Sequence, residues 1–153
     1  MTTFDFGDGN GPVPAHQHSN GGGWVADSAH VEDTAYVGPE AQVYGNAEIA
    51  GDAQVFGEAR VGANARVFGN AEIAGDARVF GNAQVYDSAQ VYGDALVSGD
   101  AEVFGKAQVY ANAEVYGNAW VFGNAQVYGD ALVYGDAMVY DNALIFGNVE
   151  VFK

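Results

Sequence analysis

The sequence predicts an all-β solenoid, a single domain of short strands stacked in parallel, and three observations predict it. From near Gly23 to Lys153 the chain repeats the hexad Ala-x-Val-aromatic-Gly-(Asn/Asp), as in Ala65-Arg66-Val67-Phe68-Gly69-Asn70. Every sixth residue from Ala29 to Ala143 is alanine, with no insertion or deletion, and so strict a period is the signature of a repeat architecture. Within each hexad, Ala-x-Val alternates inward and variable positions as a half-buried strand does. Gly-Asn or Gly-Asp then supplies residues that tolerate left-handed backbone and turn the chain. Each hexad therefore reads as one strand and one corner. So short a strand cannot bury its apolar side alone, and stacking is obligatory.

Composition agrees. Hydrophobic residues make up 49% of the 153 and charged residues 16%, which is enough apolar content to fold one domain. Cysteine is absent, excluding disulfides and thiolate metal sites. The net charge is −15 with only five Lys plus Arg, so the chain lacks the cations that neutralise phosphates. Direct nucleic-acid binding and anionic membrane surfaces are disfavoured alike. No apolar run reaches transmembrane length. The start, Met1-Thr2-Thr3-Phe4-Asp5-Phe6, has neither a basic nor an apolar signal region, so a cytoplasmic or virion-associated protein is expected.

Residues 1–22 form a separate leader rich in Gly, Pro, Asn and His. Phe4 and Phe6 alternate with polar residues, as in a short strand or a plug. Asp8-Gly9-Asn10-Gly11 resembles the start of a calcium loop, but Pro12 follows and no bidentate Glu stands at the required distance. It reads as a Gly-rich turn. His16 and His18, with His30 as a third, are the weak metal candidates; solvated histidines are the expectation, and no cofactor is implied. A solenoid needs its terminal coil covered, so the leader is expected to be a cap, or an arm that docks a protein partner.

Residues 23–153 resemble the hexapeptide-repeat left-handed parallel β-helix family, on the hexads quoted above. That resemblance implies a triangular solenoid in which three hexads close a coil of 18 residues, hence about seven coils and a prism about 34 Å long. The lead-in Asn20-Gly21-Gly22-Gly23-Trp24-Val25 resembles repeat proteins of phages and bacteria. Enzymes of the family are mostly acyltransferases with a histidine base, and a carbonic anhydrase type carries three metal-binding histidines. This chain has no histidine after His30 and no loop between hexads. No catalytic residue is assigned, and an acyltransferase-like activity is the weakest of the alternatives. Ice binding would need ranks of outward threonines, and none follows Thr34.

The inward Ala and Val, with Ile49, Ile73 and Ile145, promise a uniform apolar core without chemistry. Fifteen of the twenty aromatics occupy the repeat position directly after the Val, or after Ile145 in one hexad, as Tyr134 does. Sorted by 18, one column holds Phe68, Tyr86, Phe104, Phe122 and Tyr140, and another Tyr92, Tyr110, Tyr128 and Phe146. They serve either as ladders between coils or as an adhesive surface. The family more often carries small or acidic residues there. The position between Ala and Val passes from Gln42, Glu48, Arg60, Arg66 and Arg78 to Trp120, Leu132, Met138 and Leu144. Such apolar face residues suit self-association, and the resemblance implies a parallel homotrimer. Gln90, Gln108 and Gln126 align as an amide ladder. One corner collects Glu58, Asp76, Asp94 and Asp130, with Asn112 in the run. It reads as turn chemistry or, alternatively, as the contact surface of an acidic binder or decoy that mimics nucleic acid or blocks a host protein. The first expectation is a non-catalytic structural or interaction rod.

Overall fold

The computed structural model describes residues 1–153. It is all-β, a left-handed parallel β-helix whose strands lie in three sheets, one per face of a triangular prism. Face 1 runs from Trp24–Ala26 through the Gln42, Arg60, Arg78, Leu96, Glu114 and Leu132 strands to Glu150–Phe152. Face 2 stacks seven strands from His30–Val31 to Met138–Val139, and face 3 seven from Tyr36–Val37 to Leu144–Ile145.

The register is the 18-residue period made physical. Arg66 pairs with Gln84, Gln84 with Glu102 and Glu102 with Trp120, in parallel. Each coil donates backbone N–H groups to the next, from His30 N to Ala47 O at 2.9 Å through to Leu132 N to Val149 O at 2.9 Å. The Ala and Val of every central coil are fully buried in one apolar column. The stack loosens at both ends, at Ala29 and Val31 in the first coil and at Ala143, Ile145 and Val151 in the last, which are partly exposed.

Corners explain the glycines. Gly99 has φ +65°, and a Cβ there would sit 2.9 Å from Gly117 N in the next coil. Alanine nevertheless occupies the equivalent position at Ala111, with φ 58°. Its neighbours along that edge are the positive-φ glycines Gly93 and Gly129.

The leader is more ordered than its composition suggests. Two strands, β1 (Thr3–Asp5) and β2 (Pro12–Gln17), form an antiparallel hairpin. β2 continues antiparallel onto β3 (Trp24–Ala26), closing the N-terminal edge of face 1. The turn is built locally: Asp8 Oδ1 accepts Asn10 N at 3.1 Å, and that bond holds the Asp8 carboxyl below the usual carboxylate range. The segment after β2 closes face 3, where Gly23 N donates to Val37 O and Val37 N to Asn20 O.

The expectation of solvated histidines is corrected here for His18. It is 5% exposed, and its Nε2 donates to Ala35 O at 3.0 Å. Asn20 Nδ2 donates to the same carbonyl at 3.0 Å. A first-coil carbonyl without a preceding coil needs such donors, and that need draws the ring inward.

Candidate functional site

Two regions depart from the plain repeat. The first is a groove of about 650 Å³ at the N-terminal end, between β1 and the outer side of face 1. The hairpin reaches that face through aromatic contacts. Phe4 stacks on Trp24 with ring centroids 4.6 Å apart, and Phe6 on Tyr44 at 5.7 Å. Gly62 makes room, since a Cβ there would lie 2.2 Å from the Tyr44 ring. Arg60 lies 5.2 Å above the Tyr44 centroid and donates from Nη2 to Phe6 O. Opposite stand Glu40, Glu58, Asp76 and Asp94, so three of the four corner acids line one wall. Asp130 lies beyond it, where its Oδ1 accepts Asn112 Nδ2 at 3.0 Å.

The second region is the surface of the C-terminal coils. Trp120 and Met138, in register on face 2, are 41% and 51% exposed. Leu144 on face 3 is 55% exposed, and Tyr140 and Phe146 stand open on the flanking edges. Leu132 and Tyr134 lie half-buried on face 1 and its following edge.

Elsewhere the rings stack on one another. Phe68, Tyr86, Phe104 and Phe122 form a continuous column at centroid spacings of 4.8–4.9 Å, extended to Tyr140 at 5.5 Å. Tyr92, Tyr110, Tyr128 and Phe146 form a second. Burial raises the Tyr86 hydroxyl above the ordinary tyrosine value, reinforced by its 2.9 Å bond to Glu102. Of the glutamine ladder one rung forms, Gln108 to Gln90, and Gln90 in turn donates to Glu72. Gln126 turns instead to accept the Tyr110 hydroxyl.

The histidines do not converge. His16 Nδ1 donates to Asp27 Oδ1 at 2.8 Å, His18 faces the backbone, and His30 lies exposed on face 2. No group of three or more His, Cys, Asp or Glu side chains is arranged to hold a metal, and no helix is long and apolar enough to cross a membrane. Two features escaped the sequence reading. One is the groove itself, which depends on where the hairpin lands. The other is an asparagine ladder, Asn64 to Asn82 at 3.2 Å and Asn82 to Asp100 at 2.9 Å. Sorting the corner residues by 18 would have found it.

A family model for the YdcK β-solenoid repeat matches residues 89–105 and 125–140, each a little under one coil and both inside the uninterrupted repeat. By its own six-residue repeat and three parallel sheets the chain is a β-helix of hexads. Among solved structures this β-helix is similar to the UDP-N-acetylglucosamine acyltransferase from Campylobacter jejuni, at 14% identity and a TM-score of 0.47. That similarity covers 78% of this chain and 66% of the enzyme's, just under two thirds of its length. No curated protein sequence matches the β-helix.

Proposed function

We propose that this β-helix is a non-catalytic interaction rod that self-associates through its C-terminal coils, as a parallel homotrimer. The observation that carries the reading is the concentration of open apolar side chains on two adjoining faces. Trp120 and Met138 on face 2 and Leu144 on face 3 flank the edge that carries Tyr140. Contiguous apolar area of this kind marks an interaction site. An edge that is apolar on both sides suits cyclic packing about an axis, where each prism meets two neighbours. The absence of any histidine beyond His30, and inward positions that are all Ala, Val or Ile from coil to coil, favour a rod over an enzyme.

The acidic corner supports a second reading, a binder of basic protein surfaces, because Glu58, Asp76 and Asp94 are exposed and make no ion pair within 4 Å. Light scattering after size exclusion at low and high salt separates the two. A trimer that persists in high salt is expected, because apolar contacts are not screened. A monomer at both salts would sink the self-association reading.

A further inference from the structure

We propose that the N-terminal groove binds a small linear zwitterion, its anionic end held by Arg60 and Arg78 and its ammonium end by the acidic corner. The groove lies at the end of the prism opposite the apolar patch and does not depend on self-association. Arg60 and Arg78 are partners in register on adjacent parallel strands of face 1, and like charges placed so oppose each other. Arg66 on face 2 shows how this fold settles a guanidinium: its Nε donates to Glu48 Oε2 at 3.1 Å. Neither groove arginine has such a carboxylate within 4 Å. Arg60 donates from Nη2 to Phe6 O, while its Nε is shut off from solvent with no partner. Arg78 is exposed and makes no side-chain hydrogen bond at all. The whole Arg78 guanidinium and the Nη1 of Arg60 keep donors without a partner, and two adjacent guanidiniums so placed suit a carboxylate or similar anion.

An anion alone is a poor fit. Asp5, Glu40, Glu58, Asp76 and Asp94 line the same groove, so five carboxylates stand against two guanidiniums. A cation alone would meet the two arginines. A ligand carrying both charges meets each with its complement. Asp76 stands in the corner two residues before the Arg78 strand, so their Cα atoms are at most about 7 Å apart, and no ion pair joins the two side chains. That spacing matches a chain of about five carbons between carboxylate and ammonium. It is longer than an α-amino acid offers. The stacked rings of Phe4 and Trp24 on the groove wall provide an apolar flank for the methylenes, as small-molecule grooves commonly do.

The test is an NMR titration of the full chain with 6-aminohexanoate, hexanoate and hexylammonium, following the indole N–H signals of Trp24 and Trp120. The expected result is a shift of Trp24 with Trp120 unmoved, and 6-aminohexanoate binding about tenfold tighter than either single-charge analogue. Arg78→Gln and Asp94→Asn should each weaken binding about tenfold and leave the unfolding transition in place. The Arg78 side chain makes no ion pair that the substitution would break, and asparagine already occupies the Asp94 column at Asn112. An analogue with one charge binding as tightly as the zwitterion would overturn the proposal. So would a shift that spares Trp24, binding unchanged in both variants, or no shift at millimolar ligand.

Discussion

The first coils and the last coils share one inward pattern and differ in everything they show to solvent. At the N-terminal end the face positions are Gln42, Glu48, Arg60, Arg66 and Arg78, and the leader, a hairpin with its own aromatic contacts and the segment after it, closes two sheet edges. At the C-terminal end they are Trp120, Met138 and Leu144, more than a third exposed. The difference teaches that in a solenoid the core and the surface are separable. Ala and Val at fixed spacing satisfy the stack, and the variable position is left free to carry charge at one end and apolar area at the other.

The largest test of that separation lies in the core. Val97→Asp, in a fully buried central coil, should cost about 4 kcal/mol or more, because a carboxylate would be left without partners. Ile145→Asp in the looser last coil should cost about 1–2 kcal/mol, and urea unfolding of both variants measures the gap. Equal losses would mean that the coils unfold as one block without any fraying at the end. Next come the faces: if the chain trimerises as proposed, Met138→Lys with Leu144→Lys should give a monomer in light scattering, whereas Arg66→Gln at the other end should leave the size unchanged.

A smaller effect is expected within the aromatic columns. Phe104 has stacked rings on both sides, Tyr86 and Phe122, and Phe152 has only Tyr134. Phe104→Ala should therefore cost about 2–3 kcal/mol and Phe152→Ala about 1 kcal/mol, again read by denaturation. The mildest change concerns pH. Tyr86 titrates higher in the folded chain than its ordinary value of 10.0, so the unfolded chain loses that proton first. The stabilisation is complete below about pH 10 and fades as pH rises through the folded value. Tyr86→Phe, which fits between Phe68 and Phe104, should flatten the alkaline slope of stability; an unchanged slope would place its origin in other tyrosines.

Much of this was open to reading from residues alone. The strand-and-corner hexad, the 18-residue columns and the apolar core all follow from spacing, because a strict period leaves one way to stack. The ring columns containing Phe104 and Tyr110 were visible for the same reason. His18 was not. Its burial depends on a first-coil carbonyl, Ala35 O, that lacks a preceding coil to supply a donor, and nothing in His16-Gln17-His18 announces that. Gln126 likewise left the expected ladder because the Tyr110 hydroxyl came within 3.2 Å, a competition between side chains that period alone does not rank.

By itself, then, the sequence determined the repeat, its inward and outward positions and the gradient from charged to apolar faces, since each of these is a matter of residue type at fixed spacing. Tertiary structure decided where the irregular part went. The leader has no period to impose a register, so its path follows from the unpaired edges of the first coil and from the landing places that Trp24 and Tyr44 offer. That docking encloses Arg60, Arg78 and the acidic corner in one groove, joining residues far apart in the chain through contacts no periodicity encodes.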